Sequence, residues 1–196
     1  MRAPVLGGAW LLSVLLAGCG GGVDSDAAAR AAYLGLDDMV EEAMNLGFDG
    51  FNAATSANIP EQSAMGDESG TLVVTGQVDQ GSSPNKEMRL RAALTDYQDV
   101  VLVEDELVIV YDSVDAPLEL DLSLRGVPDG TLQGTLTGAL EMTGDITGSV
   151  VLDLTIEGDI EPDPMDETRV RRVPGTTTIR GTATSPYGVF EVDVVR

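Results

Sequence analysis

The sequence predicts a mainly β domain, a curved antiparallel sheet of about eight strands forming a barrel or half-barrel, preceded by one amphipathic helix. Three observations point there. Apolar and polar residues alternate with a period of two through most of the chain after residue 70. The connections between these stretches are too short for crossover helices, so neighbouring strands run antiparallel. Several glycines fall on the apolar register, where a side chain would otherwise pack, and inward glycines let a sheet bend sharply. A β-sandwich is the alternative architecture, which strands of a dozen residues favour less.

The helix comes first. Ser25 or Asp26 can cap it, and Ala32, Leu36, Met39, Val40, Ala43, Met44 and Gly47 then recur at helical spacing. Asp37, Asp38, Glu41 and Glu42 fall largely on the other face, which sets an amphipathic helix over 26–46 whose stripe is expected to cover the sheet. Residues 47–70, with Pro60 among Ala, Ser, Asn and Gly, read as a loop or linker. The antiparallel β-domain is expected over 71–196.

Within it, Leu72, Val74, Gly76 and Val78 alternate with Thr71, Val73, Thr75 and Gln77, and the pattern returns at Met88, Leu90, Ala92 and Leu94. The run 107–111 is apolar on both faces, and Leu118, Leu120, Leu122 and Leu124 alternate with Glu119, Asp121 and Ser123. The clearest pattern is a long hairpin. Leu132, Gly134, Leu136, Gly138, Leu140 and Met142 lead through Thr143-Gly144-Asp145 into Ile146, Gly148, Val150, Leu152, Leu154 and Ile156. A second hairpin closes the chain, from Ile179, Gly181 and Ala183 through Ser185-Pro186-Tyr187-Gly188 to Phe190, Val192 and Val194.

Composition excludes many chemistries. The 196 residues hold 33 Asp plus Glu against 11 Lys plus Arg, a formal charge of -22, with no histidine and one cysteine. That removes imidazole-based nucleophile systems and HExxH metal sites, and leaves no intramolecular disulfide. Nucleic acid is not an expected partner, because phosphate backbones are bound by clustered cations. Ser83-Pro84-Asn85-Lys86 fits the S-x-x-K nucleophile pattern, but it sits in a polar hairpin loop and Lys86 is the only lysine, so the companion K-T-G element cannot exist. Paired carboxylates could serve a glycosidase, but the single tryptophan, Trp10, lies in the N-terminal segment and leaves the domain without that platform for sugar rings. No enzyme is expected.

The N-terminal segment MRAPVLGGAWLLSVLLAGC carries one basic residue, Arg2, then an apolar stretch over 5–16 that is too short for a membrane span, then small residues. This reads as an export signal. Its end, Leu16-Ala17-Gly18-Cys19, resembles the lipobox of bacterial lipoproteins at all four positions. The resemblance implies cleavage between Gly18 and Cys19, a signal peptide over 1–18, and a covalent lipid on Cys19, whose sulfur and new amino group are acylated. More than one chain on one residue gives stable anchoring. By the same resemblance, Gly20 after the cysteine implies sorting to the outer membrane. Residues 19–25, with Gly20-Gly21-Gly22, are expected to tether an acidic domain away from anionic lipid.

Asp159, Glu161, Asp163, Asp166 and Glu167 crowd one loop, followed by Arg169, Arg171 and Arg172. Five carboxylates are a candidate calcium site, although the spacing departs from an EF-hand and the turn glycine is missing. A solvated loop whose own arginines offset its acids is the competing reading. The expected role is thus a membrane-anchored cell-envelope lipoprotein, facing the periplasm or the cell surface, that meets an envelope protein or cell-wall partner without catalysis. The alternatives are a carrier whose concave face holds a lipid or other hydrophobic ligand, and a calcium-binding envelope protein.

Overall fold

The computed structural model describes residues 21–66, 68–79, 86–102, 107–113 and 118–196. The lipobox Leu16 to Cys19, the cleavage position at Gly18 and Cys19, and Ser83-Pro84-Asn85 lie outside the described residues. Among the described residues, two helices, α1 (Asp26–Leu34) and α2 (Asp37–Ala53), precede ten strands. These are β1 (Asn58–Met65), β2 (Ser69–Val78), β3 (Lys86–Leu102), β4 (Val108–Ser113), β5 (Glu119–Val127), β6 (Gly130–Gly144), β7 (Gly148–Pro162), β8 (Val170–Arg172), β9 (Thr178–Ser185) and β10 (Gly188–Val195).

All ten strands belong to one antiparallel sheet that curves but does not close into a barrel, with β1 and β10 at its edges. β4 and β5 both lie between β3 and β6, β4 against residues 99–102 of β3 and β5 against 86–93. Together they occupy one strand position between β3 and β6. β8 and β9 share a flank of β7 in the same way. The meander therefore has eight strand positions, each antiparallel to the next in sequence, as the short connections require.

The inward register is the one the alternation sets. Leu72, Leu94, Leu124, Leu132, Leu136, Leu152, Leu154 and Ile156 are all buried, in a core shared with both helices. One cross-strand row spans the whole sheet as Ile59, Gly76, Leu90, Leu122, Gly134, Ile156, Ile179 and Val194. A Cβ on Gly134 would lie 2.5 Å from the Asp121 carbonyl oxygen and 2.6 Å from Leu122 Cδ2, so only glycine allows that approach. Gly148 departs from the expected inward set: it is exposed at the start of β7 with φ +100°.

The helices lie over the concave side. α1 packs on β10 and α2 on β1, β2 and β3, so the pair reaches across between the sheet's two edges. The expected stripe from Ala32 to Gly47 is buried throughout. The single helix over 26–46 is not what forms. Tyr111 reaches up from β4, and its hydroxyl donates to the Ala32 carbonyl at 2.8 Å, taking the acceptor that the Leu36 amide would use in an unbroken helix. Leu36 N–H turns to the Tyr33 carbonyl instead, at 2.7 Å, and the chain breaks at Gly35 and Leu36.

The loop expected over 47–70 is also corrected. α2 runs on to Ala53, and β1 fills 58–65 as an edge strand on β2. Only Ile59 of β1 is buried, and the pairing register shifts between Ile59 and Gln62, around Pro60. Nor do residues 21–25 form a free tether. Gly21 pairs with Ile146, the Thr147 amide donates to the Gly21 carbonyl at 3.2 Å, and Val23 is buried.

Candidate functional site

The sheet's outward register carries a different chemistry from its core. A depression of about 780 Å³ lies over β2, β3, β5, β6 and β7 at the row that contains Gly76 and Gly134. With no side chain at either glycine, Leu90 Cδ2 and Leu122 Cδ2 lie 3.0 and 2.6 Å from where the missing Cβ atoms would sit. The surrounding outward residues are Thr75, Gln77, Arg89, Arg91, Asp121, Ser123, Gln133, Thr135, Thr155 and Glu157.

The arginines in and beside it are paired with carboxylates. Arg91 Nε lies 2.9 Å from Asp121, Arg89 Nη2 lies 3.3 Å from Asp79, and Arg125 Nε lies 3.5 Å from Glu87. These guanidinium groups are half or more exposed, so each pair contributes little to stability and leaves its remaining donors to solvent or a ligand. The Ser123 hydroxyl donates to Glu87 at 2.8 Å and, with Arg125 and Arg89 nearby, holds that carboxyl below the usual carboxylate range. A carboxylate stabilised in this way accepts hydrogen bonds but is a weak base near neutral pH. Amides from Gln77 and Gln133, hydroxyls from Thr75 and Thr135, and paired ions suit the face to hydrogen-bond a polar partner.

A second cluster joins the helices to the far end of the sheet. Asp37, the first residue of α2, is 2% exposed. Its carboxylate accepts from Tyr33 Oη at 2.7 Å, from Arg172 Nη1 and Nη2 at 2.8 and 2.9 Å, and from Arg196 Nε at 3.0 Å. Arg172 Nε donates to Glu41 at 2.9 Å. Burial pushes the Asp37 carboxyl up, but Arg172, Tyr33 and Arg196 outweigh it and hold the group below the ordinary carboxylate range. The Tyr33 hydroxyl is pushed up by burial and by the Asp37 charge. This cluster acts as a clasp between α2, β8 and the C-terminal residue.

Asp37 therefore belongs to the buried side of the helix, against the expectation that placed it with Asp38, Glu41 and Glu42. A sequence signal was present. Tyr33 and Asp37 are four residues apart on one helical face, next to the apolar stripe.

Three of the five 159–167 carboxylates take separate donors from the protein. Glu161 accepts from Arg171 at 2.6 and 2.9 Å, Asp163 from the Met165 amide at 2.8 Å, and Asp166 from the Thr168 amide and hydroxyl at 2.9 and 2.6 Å. The Thr168 hydrogen bonds and Arg169 hold the Asp166 carboxyl down. Asp159 sits in β7, where its amide donates to Thr176 Oγ1, and Asp159 and Glu167 are exposed. Among the described residues no three carboxylates gather as a metal-ligating group. The arginines after this loop do more than offset its acids: Arg172 leaves for Asp37 and Glu41, and Arg169 reaches Asp49 at 2.7 Å.

No protein-family model, curated protein or solved structure matches the chain.

Proposed function

We propose that this chain is a lipid-anchored protein of the bacterial cell envelope, held by acyl groups on Cys19 and sorted to the outer membrane, that acts without catalysis as a structural or interaction domain. Its partner is a protein or cell-wall component of the envelope, met through the polar outer face of the sheet. One observation carries the choice over a hydrophobic carrier: the concave side is occupied by the chain's own helices. Val40, Ala43 and Met44 of α2 are fully buried, and a methyl at Gly47 would overlap Leu90. Admitting a lipid there would mean lifting α2, which exposes that apolar stripe and breaks the Asp37–Arg172 clasp.

The anchor is tested by intact-mass measurement of the full chain extracted from membranes of a Gram-negative host. The expected species begins at Cys19 and carries acyl mass, and Cys19→Ala yields only unprocessed, unacylated precursor. A wild-type chain without acyl mass would refute the anchor.

A further inference from the structure

Lipid anchoring at Cys19 has a geometric consequence for the domain. Gly21 is already paired with Ile146 on the sheet, and the Gly21 carbonyl accepts from Thr147. Only Gly20 lies between it and Cys19, and an extended chain spans at most about 3.3–3.6 Å per residue, so the docked Gly21 stands within roughly 7 Å of the anchored residue. The headgroup layer on each side of a bilayer is itself about 5–8 Å thick. The domain therefore cannot be held off on a tether, and one particular end of the sheet must meet the membrane surface.

That end is recognisable. The Tyr187 ring seats on the backbone of Gly22, where a Cβ would lie 2.5 Å from its Cε2, and Ser185 Oγ in the same turn donates to the Val23 carbonyl at 2.5 Å. Tyr187 is 67% exposed, whereas Tyr33, Tyr97 and Tyr111 are buried. Val151 and Val189 flank Thr184 in one cross-strand row beside this turn and are 49% and 65% exposed. An amphipathic ring beside exposed valines suits the headgroup level, where one end of a side chain is apolar and the other wet. Nearby carboxylates are partly engaged: Asp26 accepts from the Glu191 amide at 2.9 Å and Asp145 from the Val108 amide at 2.7 Å. With a chain charge of -22, the fitting surface is a zwitterionic headgroup layer rather than an anionic one.

We propose that the β9–β10 turn, with Tyr187, Val189 and Val151, is the face on which the anchored domain rests against a phospholipid bilayer. The proposal rests on the lipid-anchor reading, and the test separates the two. The described residues close one core from Gly21 onward, so the chain from Cys19 is the unit to use. Its lone thiol is coupled to maleimide-bearing phosphatidylethanolamine in phosphatidylcholine vesicles, which supplies an anchor whatever the cell does to Cys19. Tyr187→Trp and Met165→Trp each give a protein with one tryptophan, because Trp10 lies upstream. Met165 is 91% exposed just beyond the far end of β7, a strand of 15 residues that spans about 45 Å.

With brominated phosphatidylcholine in the vesicles, tryptophan at 187 should lose a clearly larger fraction of its emission than tryptophan at 165, with a blue shift on coupling. Equal quenching at both positions, or more at 165, would overturn the proposed face. Matching thermal melts of the two variants and wild type check that both are folded. Failure of acylation in cells counts against the anchor alone, and equal quenching in the vesicles counts against the face alone.

Discussion

Asp37→Asn is the substitution that most sharply tests how the helix pair is held on the sheet. It keeps the size of a side chain that is 2% exposed but removes the charge facing Arg172, whose own side chain is 12% exposed. Arg172 would keep its ion pair with Glu41 but face a neutral amide in place of its second carboxylate, and Arg196 would lose the Asp37 carboxylate. Breaking a buried ion pair by removing one partner costs about 3–5 kcal/mol, because the other charge stays buried. Arg196 is 34% exposed and adds little to that figure. For a domain of this size each kcal/mol lowers Tm by about 2–4 °C, so thermal unfolding followed by far-UV circular dichroism at pH 7 should show a fall of at least about 6 °C. A fall below about 2 °C would show that the Asp37 charge does not hold the helix pair on the sheet. Asp37→Leu combined with Arg172→Met should recover much of the loss, since a well-packed apolar pair can replace a buried ion pair. The pH dependence has a definite sign. The folded carboxyl is held below its unfolded value, so its stabilisation is fully present above about pH 4 and is lost as pH falls through the folded value. The gap between wild type and Asp37→Asn should therefore be widest near neutrality and narrow below about pH 4.

Two further substitutions examine the core. In an exposed helix Gly47→Ala would stabilise by roughly 0.5–1 kcal/mol, but here the new methyl overlaps Leu90 Cδ1 and lies 2.7 Å from Cδ2, so urea unfolding should show destabilisation of about 1–3 kcal/mol. In a Leu90→Ala background the sign should reverse, and destabilisation in both backgrounds would show that α2 is not seated on Leu90. Leu152→Asp places a carboxylate at a position 1% exposed in the middle of β7 and should abolish the cooperative melt. An unchanged Tm would mean that the register of β7 is inverted.

What was legible in the sequence was whatever the chain repeats. The period-two alternation places Leu132, Leu136, Leu152, Leu154 and Ile156 inside, and short connections dictate the meander. Features that depend on a distant partner were not. β1 is polar and contains Pro60, because an edge strand with one buried side chain leaves almost no apolar pattern. The helix break at Gly35 comes from the hydroxyl of Tyr111, and the burial of Asp37 from an arginine 135 positions away. The outer depression is intermediate in this respect. Gly76 and Gly134 were recognisable as inward glycines that bend the sheet, but their meeting in one cross-strand row depends on the register of four strands. The crowding of the 159–167 acids was equally plain, yet turn geometry and Arg171 give Asp163, Asp166 and Glu161 donors from the protein.

The claim that this domain fills its own concavity and acts from its outer face is tested most directly by native mass spectrometry of the chain extracted from membranes in mild detergent. The expected mass is that of the chain from Cys19 with its covalent acyl groups and nothing further bound. A stoichiometric, non-covalent lipid-sized adduct that leaves only on unfolding would contradict it, by showing that α2 lifts and that the concave face carries a hydrophobic ligand.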